Sequence, residues 1–220
     1  MSDDVPIRDA ATVILVRDAE TRPSILMGQR GSGAVFMPNK FVFPGGAVDA
    51  ADADVPLAAL PSEPSLARLT ARVENAVSPK ALAVTAIREL WEETGLRMGV
   101  PGAWDDAPQD WATFGGRPTA RGLQFFFRAV TPPGRSRRFD ARFFLASADD
   151  LMDAPDAHPP ASDELSHLSW VPLDDVRRLN LAFITELVLA ELTRHLPRLD
   201  APDRVPFVRN DRMDNAVIWL

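Results

Sequence analysis

Residues 78–96 read Ser-Pro-Lys-Ala-Leu-Ala-Val-Thr-Ala-Ile-Arg-Glu-Leu-Trp-Glu-Glu-Thr-Gly-Leu, and this stretch predicts the best-defined helix of the chain. Ser78 is a favourable N-cap, and Pro79 suits the first helical position because an N–H there would have no partner within the helix. Gly95 suits the residue just past the helix end, where a left-handed backbone is common. The sequence therefore predicts a helix over residues 79–94. Its core face, at helical spacing, is expected to consist of Ala83, Ile87, Leu90 and Thr94.

Three carboxylates lie on one side of this predicted helix, close to its C-terminus. Glu89 precedes Glu92 and Glu93 by three and four residues, so the three side chains are neighbours on the helix surface. Like charges at this spacing, at the negative end of the helix dipole, are unfavourable unless a cation joins them. Hard carboxylate oxygens are the ligands that Mg²⁺ or Mn²⁺ requires, so a divalent metal site is one interpretation. The alternative is a solvated acidic face, partly neutralised by Arg88 and Arg97.

The segment Arg88–Leu96 resembles the second half of the Nudix box, whose pattern is G-x5-E-x7-R-E-U-x-E-E-x-G-U with U aliphatic. It fits that pattern at every specified position. Upstream, Gly46 and Asp52 fit the first half, with Asp in place of Glu. However, 35 residues separate Asp52 from Arg88 where the pattern has seven, an insertion of 28. The insertion and the shorter carboxylate leave open whether Asp52 or Asp49 pairs with Arg88.

The resemblance implies a fold of the α/β class, a Nudix-type α/β/α sandwich with a mixed β-sheet. It covers residues 8–196, with residues 53–78 as an insertion within the box, and leaves residues 197–220 as a C-terminal tail. Runs of β-branched and aromatic residues agree with this, since they predict strands on both sides of the helix. Strands are expected at 11–17, 23–30, 41–43, 122–130, 139–146 and 165–171, a short helix after Ser65, and a long helical stretch at 173–196, interrupted near Asn180 in one interpretation.

The resemblance also implies the chemistry, in which divalent ions assist the attack of water on a pyrophosphate. By position, Glu89, Glu92 and Glu93 are the implied Mg²⁺ or Mn²⁺ ligands, and Arg88 belongs to the same catalytic set. Glu89 is alternatively the general base. The carbonyl of Gly45 is a further candidate metal ligand, because glycine lets other groups approach the backbone closely.

Candidates outside the helix come from the loops. Many family members add a distal carboxylate near the last strands, for which Glu164 is the first candidate and Asp163 the second, although both also fit ordinary loop acids. Arg30 ends a predicted strand, and its planar guanidinium suits a phosphate, although a solvent-facing strand end is an equal interpretation. Gly46 is the second candidate for substrate binding. Structural roles are expected for the core phenylalanines and the scattered histidines, namely Phe125–Phe127, Phe143, Phe144, His158, His167 and His195.

The substrate is expected to be a small molecule derived from a nucleotide. Residues 36–46 and the interrupted box resemble the branch of the family that cleaves coenzyme A and acyl-CoA. Residues 28–31 meet the usual CoA signature only loosely, and Val35 stands where a second arginine is usual. An ADP-sugar or dinucleotide diphosphatase and a non-catalytic metabolite sensor are the alternatives. The insertion either forms a pocket wall for the non-nucleotide half or is structural.

The composition excludes several other classes. The 24 basic and 31 acidic residues give a net charge of −7, which disfavours nucleic acid as a partner. The chain has no Cys and therefore neither a disulfide framework nor a thiolate nucleophile. No apolar run near the start is long enough to span a membrane, and the first residues do not match a signal peptide, so a cytoplasmic protein without a membrane partner is expected. A homodimer is one expectation, with Phe207, Val217 and Trp219 of the tail as its candidate contacts.

Overall fold

The computed structural model describes residues 5–71, 77–157, 165–210 and 216–220. These residues form strands and helices that alternate without a regular βαβ rhythm. The strands are β1 (Ile7–Arg17), β2 (Ser24–Arg30), β3 (Phe41–Val42), β4 (Gly45–Ala47), β5 (Gly99–Pro101), β6 (Gly116–Pro118), β7 (Gln124–Val130), β8 (Arg138–Ser147), β9 (Leu165–Pro172), β10 (Pro206–Arg209) and β11 (Ala216–Trp219). The helices are α1 (Glu63–Leu69), α2 (Pro79–Thr94) and α3 (Phe183–His195).

A mixed sheet forms the centre of the described structure. Its order is β11-β10-β7-β8-β1-β2-β3, with β4 paired to β1 and β9 paired to β2. The pairs β1–β8 and β7–β10 are parallel and the other pairs are antiparallel. β5 and β6 form a separate two-stranded sheet. Because β3 pairs with β2 and β4 pairs with β1, the chain at residues 41–47 lies where β1 and β2 separate.

Apolar side chains cover both faces of this sheet. On one face α2 and the end of α1 pack against β1, β7 and β8, through residues such as Leu82, Ile87 and Phe144. On the other face α3 packs through Val188 and Leu192. The expected α/β/α sandwich with a mixed sheet is therefore confirmed. The sheet phenylalanines Phe125–Phe127, Phe143 and Phe144 are buried, as expected.

The predicted helices agree with the structure to different degrees. The bounds of α2 match the prediction, and its four expected core residues are buried. The stretch at 173–196 is interrupted: a 3₁₀ turn at Val176–Arg178 precedes α3, which begins only at Phe183. Ser65 does not begin the short helix, since Ser62 is its N-cap. Ser65 is instead buried, and its Oγ accepts a hydrogen bond from the Phe125 amide at 3.0 Å.

The insertion packs onto the same face as α2. The amide of Ala58 donates to the Pro118 carbonyl at 2.8 Å, and the Ala120 amide donates to the Ala59 carbonyl at 2.9 Å. Val55 and Leu69 are buried in the core. Residues 72–76 of the insertion lie outside the described residues. Its described part therefore contributes to the core, which favours the structural interpretation.

The predicted tail extends the main sheet. β10 runs parallel to β7, and β11 pairs antiparallel with β10. Phe207 is only 3% exposed, so it is a core residue and the expectation that it forms a dimer contact is wrong. A domain that ended at residue 196 would leave out two strands of the sheet. No helix of the described residues is both long and apolar enough to cross a membrane.

Candidate active site

Helix α2 carries the three glutamates, and both of its ends are well defined. Ser78 Oγ accepts a hydrogen bond from the Ala81 amide at 3.1 Å, which satisfies one of the free N–H groups of the first turn. Gly95 ends the helix with a left-handed φ of 72°, and its amide donates to the Trp91 carbonyl at 2.7 Å. The buried face of α2 lies on β1 and β4, so its carboxylates lie above β4.

The two glycines of β4 lie where a side chain would collide, Gly45 with β1 and Gly46 with α2. Gly45 lies opposite Thr12 and Gly46 opposite Ala11. A Cβ at Gly45 would lie 2.5 Å from Thr12 Oγ1, and a Cβ at Gly46 would lie 2.5 Å from Glu89 Cδ. Any side chain at Gly46 would therefore displace the Glu89 carboxylate.

Glu93 binds to the same short strand. Its side chain is buried, and its Oε2 accepts a hydrogen bond from the Gly45 amide at 2.8 Å. This bond uses the Gly45 N–H, and the role of the Gly45 carbonyl as a metal ligand stays a prediction. The structure therefore brings Glu89 and Glu93 together with Gly45 and Gly46.

Asp52 holds the arginine of the helix. It is 1% exposed, and its two carboxylate oxygens accept hydrogen bonds from Arg88 Nε at 2.9 Å and Nη2 at 3.0 Å. Thr85 Oγ1 and the Asp49 amide also donate to Asp52 Oδ2, at 2.6 Å and 3.0 Å. The Asp49 carboxylate lies 3.8 Å from Arg88. The question left open by the sequence is therefore answered: Asp52 is the bidentate partner of Arg88, and Asp49 is secondary.

Arg88 joins this buried aspartate to the helix carboxylates. Its Nη1 donates to Glu89 Oε1 at 2.9 Å and to Glu92 Oε2 at 3.0 Å, and its Nη2 donates to the Ala47 carbonyl at 3.1 Å. Burial lowers the pKa of Arg88, but the hydrogen bond to Asp52 and the charges of Asp52, Glu89 and Glu92 raise it above its ordinary value overall. Arg88 is therefore a permanent cation that fixes the positions of two helix carboxylates.

The carboxylate oxygens of this cluster suit a divalent cation, although in this structure Glu89 and Glu92 accept hydrogen bonds from Arg88. Glu89, Glu92 and Glu93 supply hard oxygens, and glycine at position 46 leaves space for the Glu89 carboxylate. Within the described ranges, no three acidic or histidine side chains converge as a metal-binding group. The Glu92 side chain is 52% exposed and the Glu89 side chain 13%. Glu92 is therefore the carboxylate that can most readily exchange Arg88 for a metal ion.

The remaining predicted residues lie outside this cluster or outside the described chain. Glu164, Asp163 and His158 fall in the range 158–164, which is not described. Arg30 ends β2, and its Nε is buried without a hydrogen-bond partner in the described residues. Its backbone is paired with Asn39 and Lys40, so only the side chain is available for a ligand.

The two described histidines have no metal-ligand geometry. His167 is exposed and adopts a φ of 51° at an irregularity in the β2–β9 pairing. His195 is buried against the Phe126 ring at a centroid distance of 5.5 Å. Its Nε2 lies 3.0 Å from the Asp200 carbonyl oxygen. The histidines are thus separated, as the sequence indicated.

Sequence reasoning missed the role of Thr85. Its hydroxyl oxygen lies 2.6 Å from Asp52 Oδ2 and 2.9 Å from the Ala81 carbonyl oxygen, so its single proton faces two acceptors. Thr85 lies three residues before Arg88, on the same side of the helix, and it is a polar residue among the apolar ones of the first two turns. A polar residue within this buried, mostly apolar part of the helix was the signal in the sequence that could have indicated the role of Thr85.

Comparisons with known proteins agree with this geometry. The model of the NUDIX domain matches residues 76–192, more than half of the chain. A Caenorhabditis elegans protein named "Putative nudix hydrolase 7" is 28% identical over 180 residues, which are 74% of this chain and 51% of that protein. This chain therefore spans about half the length of that curated relative.

Solved structures share the fold. A NUDIX hydrolase from Alicyclobacillus acidocaldarius is 28% identical with a TM-score of 0.64, covering 85% of this chain and 91% of its own. The NUDIX domain of Shewanella oneidensis NrtR, solved with ADP ribose, is 15% identical with a TM-score of 0.51, covering 86% and 88%.

The chain belongs to the Nudix family. Nudix hydrolases generally act on nucleoside diphosphate derivatives and generally need divalent metal ions. Membership of the Nudix family supports the predicted enzyme class, which is that of the pyrophosphohydrolases.

Proposed function

We propose that this protein is a divalent-metal-dependent hydrolase that cleaves the pyrophosphate of a nucleoside diphosphate linked to another moiety. The observation that carries the proposal is the arrangement at β4 and α2. Glu89 and Glu93 meet Gly46 and Gly45, and the buried Asp52–Arg88 pair orders the adjoining carboxylates. An arrangement of this kind concentrates negative charge in one place, which favours a divalent cation and, through it, an anionic substrate.

The proposed metal ligands are Glu89, Glu92 and Glu93, for Mg²⁺ or Mn²⁺. A bound divalent ion would supply charge neutralisation of the diphosphate oxygens and a more acidic attacking water. Arg88 keeps Glu89 and Glu92 within reach of one another and holds the helix to β4 through the Ala47 carbonyl. Glu89 is the alternative candidate for the general base, because its carboxylate lies over Gly46 at the edge of the cluster.

Residues at a distance from the helix complete the proposal. Arg30 is the candidate for binding a phosphate, because it ends β2 and its planar guanidinium can donate two parallel hydrogen bonds. Glu164 remains the candidate for the distal carboxylate. The proposed catalytic domain covers residues 8–196, and the strands at 206–209 and 216–219 complete its sheet.

Among substrates of this class, coenzyme A or an acyl-CoA is the first candidate. The proposal rests on residues 36–46 and on the interrupted box, which resemble the CoA-cleaving branch. ADP-sugars and dinucleotides are the second candidates and require the same cluster. A non-catalytic metabolite sensor is the candidate from a different class, and the retention of the clustered carboxylates argues against it, because a binder without a metal gains nothing from their repulsion.

Chromatographic product analysis tests the proposal. Purified protein with Mg²⁺ or Mn²⁺ is incubated with CoA, acetyl-CoA, ADP-ribose, NADH, a diadenosine polyphosphate and oxidised dGTP. We expect CoA to yield 4′-phosphopantetheine and 3′,5′-ADP, and Glu92→Gln to abolish this reaction. Glu191→Gln, a charge removal on α3, is the matched control and should leave turnover unchanged.

The outcomes separate the candidates. Cleavage of ADP-ribose alone would keep the mechanism and contradict the CoA assignment. Binding of Mn²⁺ without turnover of any substrate in the panel would contradict the hydrolase and favour the sensor.

A further inference from the structure

Arg30 and Lys40 place two positive charges opposite each other on neighbouring strands. The β2–β3 pairing joins Gln29 to Phe41 and continues to Arg30 and Lys40, where the Arg30 amide donates to the Lys40 carbonyl at 2.9 Å. Like charges directly opposite in an antiparallel pair destabilise a sheet. Neither side chain forms an ion pair with an acid in the part of the chain that the structure describes. An anion bound to this cation pair would remove the conflict.

The cation pair belongs to the face of the sheet that carries the carboxylate cluster. Leu26 of β2 packs in the core beneath α2 and Met27 in the core beneath α3. Side chains alternate along a strand, so Arg30 shares the α2 face with Leu26. Lys40 lies opposite Arg30 and takes the same face, whereas the next residue, Phe41, packs on the α3 side.

The cation pair also lies at the level of the β4 glycines. The register of the antiparallel β1–β2 pair, continued along both strands, brings Arg30 level with Ala11. Ala11 faces Gly46, which lies against the Glu89 carboxylate. The cation pair is therefore a neighbour of the carboxylate cluster on the same face of the sheet.

The Lys40 ammonium is held in place by neutral groups. Its Nζ donates to Asn180 Oδ1 at 2.6 Å and to the Leu181 carbonyl at 2.8 Å. These acceptors fix the position of the ammonium without cancelling its charge, and they leave the third of its three N–H donors for a ligand. An anion that binds here meets a cation whose side chain is already ordered, which lowers the entropy cost of binding.

A phosphate monoester is the group that suits two uncompensated cations. The diphosphate of the proposed substrates goes to the metal at the carboxylate cluster, where the metal neutralises its oxygens. A phosphate monoester carries a charge of about −1.5 to −2 at pH 7, which two cations balance. Arginine offers its oxygens a planar fork of donors, and lysine offers a compact point charge.

We propose that Arg30 and Lys40 form a subsite for a phosphate monoester that the substrate carries in addition to its diphosphate, and that Lys40 determines specificity for that group. The inference rests on the proposed function and selects among its candidate substrates. Coenzyme A carries such a monoester on its ribose, whereas ADP-ribose and NADH carry none.

Isothermal titration calorimetry of the full chain in EDTA tests the subsite without turnover. The two ligands are CoA and dephospho-CoA, which differ only in the monoester. We expect the wild type to bind CoA at least about tenfold more tightly, Lys40→Gln to lose most of that preference, and Lys40→Arg to keep it. Lys80→Gln is the matched control and should keep the preference, because Lys80 is the other lysine of the chain and its Nζ also donates to a main-chain carbonyl, that of Ala53.

A further variant separates the charge of Lys40 from the structure of its loop. Asn180→Ala removes one acceptor of the Lys40 ammonium and keeps the charge, so the preference for CoA should fall less than in Lys40→Gln. A fall as large as in Lys40→Gln would assign the preference to the shape of the loop and overturn the role of Lys40. Circular dichroism melts exclude unfolding as the cause of any loss.

Equal affinity of the wild type for CoA and dephospho-CoA would overturn the subsite. Equal weakening of both ligands in Lys40→Gln would assign the cation pair to the shared diphosphate and overturn the monoester assignment. Steady-state kinetics with Mg²⁺ keep these results apart from the proposed function. Hydrolysis of neither ligand would contradict the hydrolase, while the two affinities would still decide on the subsite. Hydrolysis of both with the same kcat/KM would overturn the subsite alone.

Discussion

Two arginines on the α2 side of the sheet, Arg88 and Arg142, have opposite electrostatic surroundings. Arg88 faces three carboxylates within hydrogen-bond distance, those of Asp52, Glu89 and Glu92. Arg142 is 1% exposed and pairs with Asp9 and the Asp140 carbonyl. Burial lowers the pKa of Arg142, whereas the pKa of Arg88 is raised overall by its acidic partners.

The difference lies in the balance of charge. Around Arg142 the acids are Asp9 and Asp140, and a second cation, Arg128, binds Asp140 at 2.8 and 2.6 Å. That cluster is close to neutral, and it ties β1, β7 and β8 together. Around Arg88 the acids are in excess, and like charges held together destabilise a fold unless a further cation joins them. A buried ion pair alone is thus compatible with a structural role, and the excess of one sign indicates a functional one.

Removing one buried or partly buried acid from each cluster provides the strongest test of this contrast. Asp52→Asn leaves Arg88 without its bidentate carboxylate, and Asp140→Asn does the same to Arg128, so we expect each to lose about 3–5 kcal/mol of unfolding free energy. Urea denaturation measures that loss. Only Asp52→Asn should also reduce kcat in the folded fraction, because only Asp52 orders the helix carboxylates. Equal loss of kcat in both variants would contradict the division into a functional and a structural cluster.

Much of the Arg88 cluster could be predicted from the sequence. The α2 bounds follow from Ser78, Pro79 and Gly95, because capping is a local property of the chain. The choice between Asp49 and Asp52 could not be made, because 35 residues separate Asp52 from Arg88 and only tertiary packing brings them together.

The strands at 206–209 and 216–219 were missed for a related reason. They are four residues long, and a run of that length shows no clear period before its pairing partner is known. Phe183 of α3 is exposed, although an apolar residue on an amphipathic helix ordinarily predicts burial.

The glycine under Glu89 tests the functional cluster without removing a charge. In Gly46→Ala the added Cβ would collide with the Glu89 carboxylate and displace it. We expect kcat to fall about 10²-fold, or ~2.7 kcal/mol, since a displacement of that kind misplaces a catalytic group. Gly33→Ala is the matched control, because its Cβ would have no atom within 4 Å and activity should be retained. Steady-state kinetics decide, and an unchanged kcat in Gly46→Ala would remove Glu89 from the proposed mechanism.

A third arginine–aspartate pair, with one acid for one cation, extends the contrast to the loop after β8. Arg97 donates to Asp153 from Nη2 at 2.5 Å, from Nε and from its amide. The hydrogen bond from Arg97 lowers the pKa of the Asp153 carboxyl. We expect Asp153→Asn to cost about 2 kcal/mol of unfolding free energy at pH 7, with no effect on kcat at saturating substrate.

The pH dependence of that loss has a defined sign. A carboxyl whose pKa is lower in the folded than in the unfolded state stabilises the protein fully above the unfolded value of about 3.9. The stabilisation disappears as the pH falls through the folded pKa. The difference between wild type and Asp153→Asn should therefore be full at pH 7 and smaller at pH 3, in thermal melts at both pH values. A difference that grew on acidification would contradict the assigned direction of the pKa shift.

The smallest expected effect concerns the N-cap of α2, which supports the cluster without touching it. Ser78→Ala removes the acceptor of the Ala81 amide and should cost about 1 kcal/mol, while Ser78→Gly should cost only a few tenths. Both variants should keep the wild-type kcat, because the carboxylates lie at the other end of the helix and are fixed there by Arg88 and Gly45. If Ser78→Ala lowered kcat in proportion to stability, the order of the carboxylates would depend on the whole helix. The Asp52–Arg88 pair would then not be sufficient to maintain it.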